Sequence, residues 1–407
     1  MRNFSSLVLA ALALSSLSFA QNSTGTPRLP IPLSSSDFAS LNAAPTHKAT
    51  SNKMSASTNA ATKTASPRIV SVPNFTRSFT FGKTTFPFTM VGQDPTQKKT
   101  TVVPTTYVPM SFFFDEFVDQ NGNNITIDTN AITTEVKTSP LFQNSDYATG
   151  FTQFGDAMMR AEFFPLFNKD GDNDHNDNFH VLLGTPQTLT PVTIEVPFGS
   201  AELFQISDGS IFALIDINFI ISQLNTLVQT EPITATSIPI FLTRNALYGD
   251  FRNGRAIDCC VGGFHTAFES NQTADKIFVQ TFAFATSLDG DIANAVFGSS
   301  AFADVNALSH EVSELLNDPF GNNITPNYQI PGAPAGVCQN VLEVGDVVEN
   351  LNPDFVDITL HGFTYHPQTE GLLQFFEGIT PSDAINGDYS FPDATRLTAP
   401  FTPCPTK

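Results

Sequence analysis

The sequence predicts an α+β fold, with a β-rich half over about residues 68–200 followed by a mixed sheet and a chemically marked helix over about 201–407. Three observations predict it. Runs at 78–81, 86–90 and 106–114 are short, aromatic and β-branched, and Gly, Asn, Asp and Pro separate them, which is the pattern of strands. The run Ile277-Phe278-Val279-Gln280-Thr281-Phe282-Ala283-Phe284-Ala285 has the apolar character of a central strand. A short helix follows over 304–316, and the face opposite its apolar stripe carries a histidine and a glutamate one turn apart.

In chain order, Arg2, the apolar stretch 7–17 and Ser18-Phe19-Ala20 read as a cleaved signal peptide of residues 1–20. The apolar run is too short to span a bilayer, so no membrane anchor is expected and the mature chain belongs in the extracellular or periplasmic space. Residues 21–67 are rich in Ser, Thr, Ala, Pro and Asn. Such a stretch buries too little surface to offset ordering entropy and is expected to be a disordered spacer or propeptide. From Arg68 to the end the texture is that of a folded domain. Residues 155–164 contain good helix formers with no breaker, and in 216–228 Phe219, Ile220, Leu224 and Leu227 recur at helical spacing, so both are expected helices. Strands are expected at 238–243, around 261–268 and at 276–286. Between these elements Asp170, Asp172, Asp174 and Asp177 fall at the near-alternating spacing of a Ca2+ loop. The sixth-position glycine and closing glutamate of such a loop are missing, and a polar surface loop is the alternative. Asn74, Asn124, Asn271 and Asn323 each head an N-x-Thr sequon, which matters only in a eukaryotic secretory pathway.

A formal net charge of −20 argues against nucleic acid and anionic lipid as partners, because both are polyanions. There is no G-x-S-x-G and no Gly-rich phosphate loop, so serine-hydrolase and nucleotide-binding readings have no support. Four cysteines in an exported chain favour disulfides. Adjacent cysteines bond to each other only through a strained ring, so Cys259 and Cys260 are expected to reach Cys338 and Cys404 in an order left open. A zinc site of Cys259, Cys260 and His265 is the alternative, although its spacing fits no common zinc pattern.

In the helix, Val305, Leu308, Val312, Leu315 and Leu316 form the apolar stripe, Asp304 is the expected N-cap, and Asn317-Asp318-Pro319 the expected stop. His310 and Glu314 stack on the other face, where both can reach one divalent ion, and Glu311 lies about 100° around the helix, placed to take a proton from metal-bound water. This is the logic of H-E-x-x-H with Glu314 in place of the second histidine. One histidine and two carboxylates nearly neutralise a divalent ion, so its water is less acidified than at a His-rich zinc site and harder ions such as Mn or Ca compete. The third ligand is expected in Leu342-Glu343-Val344-Gly345-Asp346, with Asp346 preferred over Glu343 and an ordinary acidic turn around Gly345 as the bland alternative. His361, Tyr365 and His366 offer a further ligand or oxyanion donor, although a structural or surface role is the expectation for each.

Leu308-Ser309-His310-Glu311-Val312-Ser313-Glu314 with Asn317-Asp318-Pro319, then Cys338-Gln339-Asn340 and Leu342-Glu343-Val344-Gly345-Asp346, resembles a set of exported bacterial proteins of zincin type with an S-H-E-x-x-E…D-P core and a later E-x-G-D. The resemblance runs from about Phe86 to Phe391 and includes Phe154-Gly155-Asp156-Ala157-Met158 and Gly362-Phe363-Thr364-Tyr365-His366-Pro367. It implies a zincin-like domain in which His310 and Glu314 are the helix ligands, Glu311 the base, and Asp346 or Glu343 the third ligand. The expectation is a secreted hydrolase that holds Zn2+ or another divalent ion and cleaves peptide or protein substrates. The rival is a secreted binding or structural protein with a non-catalytic ion.

Overall fold

The computed structural model describes residues 27–33, 67–168, 178–273 and 275–405. The expected signal peptide, most of the 21–67 segment and the loop from Asp170 to Asp177 lie outside the described residues. The fold is mixed α/β. Its main sheet is built on β1 (Thr105–Val118), β2 (Ile238–Arg244), β3 (Gly263–Gln272) and β4 (Lys276–Ser287). The spatial order is β1-β2-β4-β3, with Gln187–Thr188 outside β1. β1, β2 and β4 run parallel, with Tyr107 opposite Ile240 and Ile240 opposite Ala283. β3 runs antiparallel to β4 and ends the path, with Gly263 opposite Ala285. Strands from both sides of residue 200 share this sheet, so the β-rich N-terminal half is not a separate layer.

Alternation along the strands divides the interior. Ile240, Leu242, Ala283 and Ala285 face one core, while Phe241, Phe282 and Phe284 face another. The helices are α1 (Phe154–Glu162), α2 (Ile217–Thr230) and α3 (Asn306–Asn317). α3 lies on the Ala283/Ala285 side, and the full stripe Val305, Leu308, Val312, Leu315 and Leu316 is buried there. Burying five such side chains contributes on the order of 10 kcal/mol before conformational entropy is subtracted. α1 crosses α3 at Gly155, where a Cβ would stand 2.7 Å from Leu316 Cδ1, so any larger residue would have to displace the Leu316 side chain. α2 packs Ile220, Leu224, Leu227 and Val228 on the opposite face, and Asp216 caps it by accepting from Asn218 N–H at 2.9 Å.

A second sheet joins Ala201–Gln205, Ile211–Asp216 and Ala246–Gly249, and Ile31–Pro32 adds to its edge in parallel with Phe204 and Gln205. Arg28 lies 2.9 Å from the buried Glu116 carboxylate and stacks on Phe117. Residues 27–33 are therefore docked, although they belong to the stretch whose composition predicts disorder.

Three expectations are corrected. The cysteines pair as Cys259–Cys260 and Cys338–Cys404. The expected pairing of each adjacent cysteine with a distant one is not found, and the peptide between Cys259 and Cys260 is cis. Cys338 and Cys404 meet because Cys338 pairs with Gln329, and Cys404 N–H donates to Asn327 O two residues earlier on the same strand. With both sulfurs oxidised, the zinc site of Cys259, Cys260 and His265 falls away. Asp304 is not the N-cap of α3: its backbone is left-handed at φ 50°, and its carboxylate is taken by His366. Two disulfides fit an exported protein. No helix among the described residues is long and apolar enough to cross a membrane. Among the sequons, Asn323 is buried with its amide N–H groups donated to Thr89 O and Asn317 O, which leaves no room for a glycan.

Candidate metal centre

The main sheet and α3 bring two imidazoles to one carboxylate. On β3, Gly263 and His265 share the face toward α3, and Gly263 allows contact because a Cβ there would stand 2.8 Å from Glu311 Cγ. His265 Nδ1 lies 3.3 Å from Glu314 Oε2 and 3.6 Å from Glu311 Oε2. On α3, His310 Nε2 lies 3.2 Å from Glu314 Oε1 and 3.6 Å from Asp346 Oδ1. His265–Glu311–Glu314 and His310–Glu314–Asp346 thus form two three-residue groups that share Glu314, and within each the ligand atoms lie within 4.8 Å of one another.

The surroundings fix these atoms. Gln368 Oε1 faces His310 Nδ1 at 3.1 Å, and the same amide donates to Gly345 O at 2.8 Å. With its amide so oriented, Gln368 accepts the Nδ1 proton, so Nε2, which faces Glu314 and Asp346, is the nitrogen that gives up its proton when a cation binds. Gln368 N–H in turn donates to Ser309 Oγ, tying this segment to α3. Gly345 N–H donates to Glu314 Oε1 at 3.1 Å, and a Cβ at Gly345 would meet the His310 ring at 2.6–2.7 Å. Gln339 Nε2 donates to Asp346 Oδ2 at 2.6 Å and is itself held by Tyr328 OH. The Cys338–Cys404 disulfide anchors the strand that carries Gln339.

The electrostatics are those of a buried site rich in carboxylates. Burial pulls both imidazoles down, but the acids around them outweigh it and hold His265 and His310 well above the usual histidine range. Burial pushes Glu314 up, but His310 and His265 hold it well below the usual carboxylate range. Burial raises Glu311 against the pull of His265 and His310. It raises Glu343 further, with help from Glu314. His265 Nε2 and Glu311 Oε2 are buried without a hydrogen-bond partner.

Of the residues expected from sequence, His310, Glu314 and Asp346 converge, and Glu311 joins His265. Glu343 is buried within electrostatic reach of Glu314 and His265 but belongs to neither group. His361 is exposed in a turn, whereas Tyr365 OH donates to Glu135 O and His366 pairs with Asp304 at 2.7 Å, so the latter two brace the fold. Asp318 accepts from Asn322 and Asn323 N–H, and burial pushes it up to about 6. Gln368 and Glu370 are the site's additions to the sequence reading, and His265, weighed there only as a ligand beside Cys259 and Cys260, stands instead at Glu311 and Glu314. Glu370 is fully buried, its carboxyl oxygens lack partners, and burial raises it well above the usual range. Only for His265 was there a signal, its alternation with Gly263 on a strand. Comparison with family models, curated proteins and solved structures returns no match.

Proposed function

We propose that the chain is an exported metal-dependent hydrolase of zincin type, acting on peptides, with the leader expected at residues 1–20. One observation carries the metal. His–carboxylate pairs joined by an ordinary hydrogen bond in this protein stand at 2.7 Å, as in His180–Asp156 and His366–Asp304. The pairs at the centre stand at 3.2–3.6 Å. Two donors each about 2.1 Å from a tetrahedral ion are about 3.4 Å apart, so the spacing suits shared ligation better than direct contact. The donors are imidazole and carboxylate, which suit Zn2+ and, with so many oxygens, Mn2+ as well.

A bound divalent ion supplies Lewis acidity and acidifies a water. The chain's own residues do the rest. His310, Glu314 and Asp346 hold the ion, Gln368 sets the His310 tautomer, and Gly345 N–H fixes Glu314. Glu311, next to His310 and held above the usual carboxylate range by burial, accepts the proton. A peptide suits the setting because the sheet path ends on β3, whose outer edge offers backbone groups to an extended chain beside the centre. The test is cleavage of a peptide library by the full chain with and without chelator. Chelator-sensitive cleavage that Glu311→Gln lowers by about 100-fold or more is expected. Undiminished cleavage after chelation and in Glu311→Gln would refute the reading.

A further inference from the structure

We propose that the centre holds two divalent cations, bridged by Glu314, with His265 and Glu311 completing the second position. The inference rests on the metal reading above and changes one role in it: Glu311, there a proton acceptor, is here a ligand. Three observations carry it. First, the two oxygens of Glu314 serve different imidazoles, Oε1 facing His310 and Oε2 facing His265. A carboxylate used this way spans two ions about 3.5–4 Å apart. Second, the two positions are matched: each has one imidazole, one carboxylate of its own and the shared Glu314, with nitrogen–oxygen distances of 3.2 and 3.6 Å at one and 3.3 and 3.6 Å at the other. Third, the side chains of the second position are at least nine-tenths buried, at 4% exposure for His265, 8% for Glu311 and 4% for Glu314. Within it Glu311 Oε2 stands 3.6 Å from His265 Nδ1, longer than an ordinary hydrogen bond, and no donor lies closer. A buried carboxylate oxygen left so is costly unless a cation answers it.

The experiment is metal stoichiometry on the full chain. Chelator-stripped protein is equilibrated with Zn2+, freed of excess metal and measured by elemental analysis. Wild type is expected to hold two Zn2+ per chain, and His265→Ala and Glu311→Gln one each. One Zn2+ in wild type, unchanged in His265→Ala, would overturn the second position while leaving the one-ion hydrolase standing. No Zn2+ in wild type would overturn both. A measurement that needs no variant accompanies it: wild type fully loaded with Mn2+ is expected to give the exchange-coupled paramagnetic resonance spectrum of a close pair. The six-line spectrum of isolated Mn2+ at full loading overturns the proposal even where a variant fails to fold.

Discussion

Gly345→Ala isolates the geometry of His310. The backbone at Gly345 is helical, φ −78° and ψ −42°, so alanine fits the conformation. Judged by propensity alone the change stabilises by about 0.5–1 kcal/mol. The new Cβ, however, would stand 2.6 Å from His310 Nδ1 and 2.7 Å from Cγ and Cε1. Ordinary contact needs about 3.5 Å, so ring and loop must separate by about 1 Å. Overpacking of that size opposes folding by about 1–3 kcal/mol, which outweighs the propensity gain and reverses the sign. The displacement is also several times the roughly 0.2 Å tolerance of a metal–nitrogen bond. Zn2+ affinity is therefore expected to fall by at least about 10-fold, and by about 100-fold if the ring swings clear. Competition against a chromophoric chelator measures the affinity, and denaturant unfolding of the metal-free protein measures the stability. Wild-type affinity together with unchanged or increased stability would refute the packing of Gly345 on His310, and with it the orientation of Nε2.

Other expectations follow from the same contacts. Gln368→Leu removes the acceptor at His310 Nδ1 at nearly constant volume, so Zn2+ affinity should fall about 10–100-fold while the circular dichroism spectrum is retained; unchanged affinity would show that the amide does not set the tautomer. Replacing Cys338 and Cys404 by serine opens a loop of sequence separation 66, whose closure stabilises by about 4 kcal/mol, and the denaturation midpoint should drop accordingly. Burial pushes both Asp354 and Glu377 up to about 7, so in the metal-free fold they keep protons that the unfolded chain gives up near pH 4. Stability should therefore be highest below that pH range and fall as pH rises to 7, by up to about 4 kcal/mol from the fully buried Asp354 alone. Thermal melts from pH 4.5 to 7.5 check the sign, and Asp354→Asn should flatten the slope.

What the sequence made legible was whatever depends on local period. The apolar stripe of α3, the central strand expected at 276–286 and the helix expected at 216–228 all follow from local pattern, and strand and helices form at Lys276–Ser287, Asn306–Asn317 and Ile217–Thr230. Even so, Asp304 was misread as a cap, because its side chain answers His366 from a segment some sixty residues on, and no local pattern reveals that. Ile31 and Pro32 were read from composition as part of a disordered stretch, yet an open sheet edge and the buried Glu116 hold that short piece.

The centre follows the same division. With Glu314 in place of the second histidine of H-E-x-x-H, the sequence predicted a less acidified water at a harder ion, and a third ligand downstream at Asp346 or Glu343. The structure finds the missing imidazole upstream, on β3, facing the oxygen of Glu314 that His310 does not use. The exchange is chemically coherent. A histidine at 314 would offer one ligand nitrogen toward His310 and Asp346, whereas a glutamate offers two oxygens in divergent directions. It can therefore serve a partner on the sheet as well as one on its own helix. Helical spacing shows only the second of these partners. The first depends on strand pairing and on the closeness that Gly263 permits, so it becomes visible only once β3 and α3 are packed together.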